Sequence, residues 1–96
     1  MDSNKTKPRE KWENIELALS SKGRLRILRK LAKNGPTTQH QLIKYTGLKT
    51  QELKRQLKIL LNIGWIEELP YNPKKYRINP NNRYVIKLSN LFKKSL

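Results

Sequence analysis

The chain has 96 residues and no cysteine, which indicates a single domain and excludes a disulfide framework, thiolate metal sites and thiol catalysis. Its 22 lysines and arginines against 7 aspartates and glutamates give a formal net charge of +15, all of it on residues 17–96, because the bases and acids of residues 1–16 cancel. This excess predicts a polyanionic partner, for which nucleic acid is the usual candidate; the alternative is a basic protein that its charge keeps in solution.

The first third of the chain predicts a tail and two amphipathic helices. Residues 1–9 lack apolar periodicity, so we expect a flexible tail. A first helix runs from Glu10 to about Ser20 and places four apolar residues on one face: Trp12, Ile15, Ala18 and Leu19. Ser21 is the predicted N-cap of a second helix, which ends before Gly35. Its apolar positions are Leu25, Leu28, Leu31 and Ala32, and basic residues including Arg24 fill the rest.

The middle of the chain predicts two helices that are separated by a glycine turn. Thr37 or Thr38 caps a short helix that runs to about Tyr45, whose predicted buried contacts are Leu42, Ile43 and Tyr45. Gly47 lies in the turn, and a longer helix follows from about Thr50 to Ile63 and ends at Gly64. The apolar stripe of this longer helix is Leu53, Leu57, Leu60 and Leu61.

After Gly64 the apolar period changes. Trp65, Ile66 and Leu69 precede a loop rich in proline and asparagine, and Tyr76 to Ile78 follow it, which predicts a β-hairpin with a basic tip. A last helix is predicted from about Arg83 to Ser95. The fold class is therefore mainly α with a small β-hairpin, and the order helix, helix, helix, turn, helix, hairpin, helix is that of a winged helix-turn-helix.

Residues 38–66 carry the pattern on which a functional prediction depends. In a helix-turn-helix, the second helix projects outward so that side chains near its beginning enter the major groove of DNA. The outward face of the longer helix is predicted to hold Lys49, Thr50, Gln51, Lys54, Arg55 and Lys58. The alternative is that these residues form an ordinary solvated helix face.

The residue types on this face divide into two predicted roles. Guanine offers acceptors, and adenine offers a donor and an acceptor, so we expect Gln51, Lys54 and Arg55 to contact base edges. Lys49, Thr50 and Lys58 are expected to contact phosphate, which positions a protein without reading sequence. Gln39, at the start of the preceding short helix, completes the predicted DNA-contacting residues of the helix-turn-helix.

The hairpin predicts a second contact with DNA. Beside the recognition helix it can place Lys74, Lys75 and Arg77 over the sugar-phosphate backbone or at the adjacent minor groove. Arg77 lies between Tyr76 and Ile78 in a strand, so it should face outward. Tyr71 and Tyr76 are interpreted as residues that pack or shape the wing.

Residues 17–79, about two thirds of the chain, resemble the winged helix-turn-helix domain of ArsR-like transcriptional regulators. The similar stretches are ALSSKGRLRILRKL, TGLKTQELKRQLKILLNIGWI and KKYRINP. The resemblance implies a dimeric regulator of operator DNA, with the helix that holds Gln51 to Lys58 in the major groove and the hairpin as the wing.

Two features differ from this family's pattern. Its metal-sensing members use clusters of cysteine and histidine, whereas this chain has one histidine, His40, so we expect no metal and no cofactor. Lys49 stands where a serine often caps the recognition helix, which makes Thr50 the expected cap. His40 has no visible acid or nucleophile beside it and is interpreted as a surface residue or a phosphate contact. With no catalytic residue in the sequence, we do not expect an enzyme.

The first and last helices predict a dimer interface, because they carry more apolar surface than a winged-helix core of this size needs. The predicted interface residues are Trp12, Ile15, Leu19, Val85, Leu88, Leu91, Phe92 and Leu96. The domain prediction is a flexible tail over 1–9, a DNA-binding domain over 10–80 and a dimerisation helix over 81–96. The alternative is that both helices only cover the core of one protomer.

The expected function is a homodimeric regulator, a repressor, that binds specific double-stranded DNA. One alternative is a winged-helix protein-interaction module of a transcription or replication complex; another is a non-specific architectural protein that binds nucleic acid. The chain has no apolar run of about 20 residues and no apolar centre of a secretory signal, so we expect no membrane association and a cytoplasmic protein.

Overall fold

The computed structural model describes residues 12–94, which form five helices and three short strands. Helix α1 covers residues 12–19 of the described part. The remaining elements, in chain order, are α2 (Lys22–Asn34), β1 (Thr37–Thr38), α3 (Gln39–Thr46), α4 (Thr50–Asn62), β2 (Ile66–Leu69), β3 (Lys75–Ile78) and α5 (Arg83–Lys94). The predicted fold class is confirmed: the chain is mainly helical with a small antiparallel sheet, in the order of a winged helix-turn-helix. The predicted tail over residues 1–9 and the interface residue Leu96 lie outside the described residues.

Helix α2 begins and ends where the sequence predicts. The Ser21 hydroxyl accepts a hydrogen bond from the backbone N–H of Arg24, and Gly35 follows the last turn. Its buried face differs from the predicted one, because Leu25 is only half-buried whereas Arg24 and Ile27 are buried. Arg24 therefore belongs to the inner face of the helix and not to its basic outer face.

Helix α3 begins with a complete capping box. The Thr38 hydroxyl accepts from the N–H of Gln41, and the Gln41 side chain accepts from the N–H of Thr38. Leu42 is buried as predicted, but the prediction for Tyr45 is wrong: its ring is exposed and lies 4.9 Å from the Lys30 ammonium. The ring faces solvent and α2 because Thr46 takes the inward position at the end of the helix, where its hydroxyl donates to the Leu42 carbonyl.

The turn between α3 and α4 depends on Gly47, whose φ of 75° lies in the left-handed region. Its N–H donates to the Ile43 carbonyl, which ends α3, and the Thr46 hydroxyl accepts from the N–H of Leu48. A side chain with a Cβ disfavours this backbone conformation, so glycine is the residue that lets the chain reverse here. The turn thus sets the angle at which α4 leaves α3.

The N-cap of helix α4 lies one residue earlier than expected. The N-cap is Lys49, which has extended backbone angles and makes no capping hydrogen bond with its side chain, so the prediction of Thr50 as the cap is wrong. The other end forms a Schellman motif, in which Gly64 donates to the Leu61 carbonyl and Trp65 donates to the Leu60 carbonyl. Leu53, Leu57 and Leu60 are buried against the core as the stripe predicts.

The sheet has three strands in the order β1-β3-β2, all antiparallel. The hairpin pairs Ile66 with Ile78 and Leu69 with Lys75, as the change of apolar period predicts. Strand β1, Thr37–Thr38, is not predicted by the sequence analysis; it pairs with Tyr76 and Lys75 of β3. The base of the wing is therefore bonded to the residues that lead directly into α3.

The core contains residues from α1, α2, α3, α4, the hairpin and α5. Val85 of α5 is 1% exposed, so this predicted interface residue belongs to the core of the protomer and offers no side chain to a partner. Ile15, Leu88 and Phe92 are half-buried and pack against that core. No helix within residues 12–94 has the length and apolar character needed to cross a membrane.

Candidate nucleic-acid interface

Helix α4 has one buried face and one exposed polar face. Leu53, Leu57 and Leu60 hold it against the core. Six predicted DNA-contacting residues at its N-cap and along the helix are all exposed: Lys49, Thr50, Gln51, Lys54, Arg55 and Lys58. The spacing of the leucines predicts this separation, because residues three and four apart share a helix face.

Arg55, one of the exposed cations of this face, forms an ion pair on it. Its Nη2 donates to both carboxylate oxygens of Glu52, at 3.1 and 3.3 Å. The pair lies one turn apart on the helix, and the Arg55 side chain is 71% exposed. Surface pairs of this kind stabilise a fold little, so their effect is on where the guanidinium points.

The wing carries two more ion pairs. Arg77 pairs with Glu67 across the hairpin at 2.8 Å, and Lys74 pairs with Glu68 at 3.2 Å. Lys75 is half-buried, and its ammonium lies 5.5 Å from the centre of the exposed Tyr71 ring. Tyr76 is buried and packs in the core, as predicted for a residue that shapes the wing.

The start of α3 and the tip of the wing lie side by side. Gln39, His40, Pro73 and Lys74 line one open depression of about 340 Å³. Gln39 is half-buried and His40 is exposed. The structure therefore brings together two predicted DNA-contacting residues, Gln39 and Lys74, that are far apart in the sequence.

The acidic residues that follow residue 16 occupy a distinctive set of positions. Only three occur between residues 17 and 96, namely Glu52, Glu67 and Glu68. Each forms an ion pair with a predicted DNA-contacting cation, respectively Arg55, Arg77 and Lys74. On both elements that are predicted to contact DNA, α4 and the wing, glutamate side chains therefore orient the arginine and lysine side chains.

Behind the exposed face of α4 lies a buried polar contact that the sequence analysis did not predict. The Arg24 Nη1 donates to Gln56 Oε1 at 2.5 Å, and Gln56 Nε2 donates in turn to Glu52 Oε2. The hydrogen bond from Gln56, together with the charge of Arg55, holds the pKa of Glu52 below its ordinary value. Burial lowers the pKa of Arg24, as does the nearby charge of Arg55.

Two signals in the sequence point to this contact. Arg24 precedes Ile27, Leu28 and Leu31 by three, four and seven residues, which places it on their buried face. Gln56 follows Glu52 by four residues, a spacing that brings two side chains together on a helix. Among residues 12–94, no group of three or more histidine, aspartate or glutamate side chains is arranged to hold a metal ion.

A sequence profile described as "Bacterial regulatory protein, arsR family" matches residues 21–68, which is half of the chain and spans α2 to β2. The chain belongs to the ArsR family. The match includes the whole helix-turn-helix, and the sequence resemblance that named this family is confirmed. A search of curated proteins finds no match.

Solved structures share the fold of this ArsR-family chain. The homodimeric winged helix-turn-helix DNA-binding domain of a possible ArsR-family transcriptional regulator from Mycobacterium bovis has a TM-score of 0.78 and 23% identity, covering 99% of this chain and 86% of that one. HlyU from Vibrio cholerae has a TM-score of 0.73 and 20% identity, covering 98% and 96%. A transcriptional regulator from Thermotoga maritima has a TM-score of 0.65 and 17% identity, covering 96% and 69%.

Proposed function

We propose that this ArsR-family protein is a homodimeric transcriptional regulator that binds specific double-stranded DNA, with α4 in the major groove and the hairpin on the backbone or in the minor groove. One observation carries the proposal: α4 turns its leucines to the core and exposes a face on which amide and cationic side chains outnumber the one carboxylate, Glu52. The family membership supports a regulatory protein with this fold.

The residues on α4 fit two kinds of contact with a duplex. Gln51, Lys54 and Arg55 are proposed to read base edges, because a carboxamide matches adenine and cations match the acceptors of guanine. Lys49, Thr50 and Lys58 are proposed to bind phosphate, as is Gln39 at the start of α3. These phosphate contacts set the orientation of the helix in the groove.

The wing is proposed to bind the backbone through Lys74, Lys75 and Arg77. Two of these cations pair with glutamates in the free protein, and phosphate can replace or share those partners. The pairs restrict the rotamers of Lys74 and Arg77 before DNA binds, which reduces the side-chain entropy lost on binding.

A homodimer is proposed from the apolar residues that the fold leaves exposed. Trp12 is 61% and Leu91 is 60% exposed, while Leu17 and Leu19 are each 40% exposed. Leu17 was not predicted for the interface. Ile15, Leu88 and Phe92 would contribute only their exposed edges. The structural neighbour from Mycobacterium bovis is described as homodimeric, which agrees with a twofold arrangement of two α4 helices.

Within this proposal, residues 10–80 form the DNA-binding domain, and residues 81–96 form the main dimerisation helix, to which α1 adds its exposed apolar residues. We further propose repression as the mode of regulation. Occupancy of an operator is enough to block transcription, so a repressor needs no contact beyond those with DNA and with its second copy.

The division of roles is tested by comparing Arg55→Ala with Lys75→Ala. Arg55→Ala should weaken binding to the selected motif and leave random duplexes much less affected, because it removes a base contact worth about 1–3 kcal/mol of discrimination. Lys75→Ala should weaken binding to every duplex alike, because phosphate contacts carry no sequence information.

The measurement is in vitro selection of bound duplexes followed by titration of motif and random DNA between about 50 and 200 mM salt, a range over which six to ten phosphate contacts cost about 10³ to 10⁵ in affinity. Equal losses on both kinds of DNA for both variants would refute the division. A wild-type protein that retains no duplex would instead favour the protein-interaction module, and one that binds all duplexes equally would favour an architectural protein.

A further inference from the structure

A continuous set of hydrogen bonds connects the end of α1 to the tip of Arg55. The Arg24 Nε donates to the Leu17 carbonyl at 2.9 Å, and its Nη2 donates to the Ser20 hydroxyl at 2.9 Å. Its Nη1 donates to Gln56 Oε1 at 2.5 Å. Gln56 then donates to Glu52, which accepts from Arg55 on the outer face of α4. The inner half of this set is buried, since Arg24 is 7% and Gln56 is 6% exposed.

The direction of every bond in this set is fixed by charge. Arginine has donors only, so the oxygen of the Gln56 carboxamide must face Arg24. The nitrogen of Gln56 must then face Glu52, and an ionised carboxylate is a pure acceptor that matches it. A glutamate is ionised at neutral pH, and Gln56 and Arg55 lower the pKa of Glu52 further. Glu52 therefore accepts a hydrogen bond from the inner side of α4, and turning away would leave the Gln56 amide donor without this partner.

We propose that Glu52, held in place by Gln56 and Arg24, is a positioning residue that fixes the Arg55 guanidinium and so sets the base preference at the position that Arg55 contacts. This inference rests on the proposed function, in which Arg55 reads a base. Glu52 acts through Arg55 and is not itself assigned a contact with DNA.

The geometry leaves Arg55 able to bind a base while Glu52 holds it. Only Nη2 contacts the carboxylate. A guanidinium has two edges with two donors each: one edge is formed by Nε and Nη2, and the other by Nη1 and Nη2. Nη2 contributes one hydrogen to each edge, so a hydrogen bond through one of them leaves the other edge complete. One two-donor edge therefore remains for the O6 and N7 acceptors of guanine.

A role of Glu52 in stability alone does not explain why a carboxylate lies on the proposed DNA-binding face. A carboxylate on a surface that meets phosphates lowers affinity for every duplex. The cost falls on specific and random DNA alike, whereas an oriented Arg55 favours only the duplex with the matching base. Glu52 should therefore lower the affinity for all duplexes and raise the preference for the duplex with the matching base, and both effects can be measured.

Glu52→Gln is the principal test, since it removes the charge at a partly exposed position without changing the size of the side chain. We expect affinity for random duplex to rise several-fold, because one repulsive charge is lost. We expect discrimination at the Arg55-dependent position to fall about tenfold, because a guanidinium without its partner samples several rotamers. The measurement is selection from a random duplex pool, followed by titration of duplexes that differ at that position.

Glu67→Gln is the matched control. It makes the same change of charge next to a cation of the wing, Arg77, and is separate from the Arg24 and Gln56 contacts. It should also raise affinity for random duplex, but leave discrimination at the Arg55-dependent position unchanged. If both variants change that discrimination equally, charge alone explains the effect and the proposal is wrong.

Gln56→Met separates the buried connection from the charge. It leaves the net charge as it is and removes both hydrogen bonds of the carboxamide. We expect lower discrimination at the same position and no gain in random-duplex affinity. Thermal unfolding of each variant checks the fold, and should Gln56→Met fail to fold, the comparison of Glu52→Gln with Glu67→Gln still decides the matter.

The outcomes distinguish this inference from the function on which it rests. If the wild-type protein selects no motif, the proposed function fails and this inference fails with it. If it selects a motif with an Arg55-dependent position and Glu52→Gln leaves that preference intact, the function stands and the positioning role is refuted. In the Arg55→Ala background, Glu52→Gln should produce no further loss of discrimination.

Discussion

Tyr76 is the residue at which the wing joins the core. It lies in the middle strand β3, opposite Thr37 on one side and Glu68 on the other. Burial raises the pKa of its hydroxyl, and the charge of Glu68 raises it further. The unfolded chain therefore loses this proton at lower pH than the folded one. The associated stability is present below about pH 10 and is lost as the pH rises through the raised pKa.

Tyr76→Phe should remove this pH dependence. The difference in free energy of unfolding between the wild-type protein and the variant should be constant from about pH 7 to pH 9 and should shift in favour of the variant above about pH 10. Urea unfolding followed by tryptophan fluorescence measures it, since Trp65 is buried in the core. A difference that does not change with pH up to about 11 would contradict the role of burial in raising this pKa.

At the same scale, the sequence predicts exposed residues better than it predicts partly polar interior ones. The spacing of three leucines predicts which residues of α4 face outward, and the structure exposes all six of these predicted residues. The sequence analysis places Arg24 among the basic residues outside the apolar face of α2, yet in the structure it is buried and has acceptors at Leu17, Ser20 and Gln56. Tyr45 is predicted to be buried, but its ring is exposed and lies beside the Lys30 ammonium, while Thr46 takes the inward position. Tertiary partners decide such positions, and a single sequence does not display them.

At the scale of elements, the N-termini of α3 and α4 differ in how they are capped. Helix α3 has its capping box at Thr38, whereas the N-cap of α4 is Lys49, whose side chain makes no capping hydrogen bond. Lys49 already has the extended backbone angles, φ of −70° and ψ of 155°, that a capping serine requires. The position thus holds a cation where the helix itself would be more stable with a hydroxyl.

Lys49→Ser should make the protein more stable and a weaker DNA binder. The new cap should add about 1 kcal/mol to the free energy of unfolding, which corresponds to roughly 4–8 °C in Tm for a domain of this size. The lost cation should lower affinity for all duplexes. Lys49→Ala is the control, because it removes the charge and adds no cap. Equal melting temperatures for the serine and alanine variants would show that the cap does not form.

The elements themselves were largely predictable, since five periodic segments and a hairpin have clear boundaries at Ser21, Gly35, Gly47 and Gly64. The exception is β1. Two threonines after a proline carry no periodic signal, and their pairing with β3 depends on how the wing folds back over α3. Such long-range pairing is set by tertiary structure and is not visible in local sequence.

At the scale of the whole molecule, the exposed apolar residues concern α1 and α5. Asn82 fixes where α5 starts: its side-chain oxygen accepts from the N–H groups of Tyr84 and Val85, and its amide donates to the Gly64 carbonyl. Val85 then enters the core while Leu91, nearly two turns later, faces outward. One helix thus serves both the protomer and the proposed second copy.

Leu91→Glu should convert a dimer into a folded monomer. The side chain is exposed, so the substitution leaves the core intact, but in a dimer it would bury a charge at the interface. Asn90→Glu, the same charge on the adjacent exposed residue, should leave the dimer unchanged. Light scattering at micromolar concentration gives the mass. A monomeric mass for the wild-type protein would contradict the dimer.

The three-stranded sheet has a consequence for any duplex that this protein meets. Both edges of β3 are bonded, one to the hairpin strand β2 and the other to the residues that open α3, so hydrogen bonds restrain the base of the wing on two sides. These bonds restrict the separation between the hairpin loop and α4. In the proposed complex, groove width and local bending in the DNA would have to match this separation, and sequences that deform easily would be favoured even at base pairs that no side chain contacts.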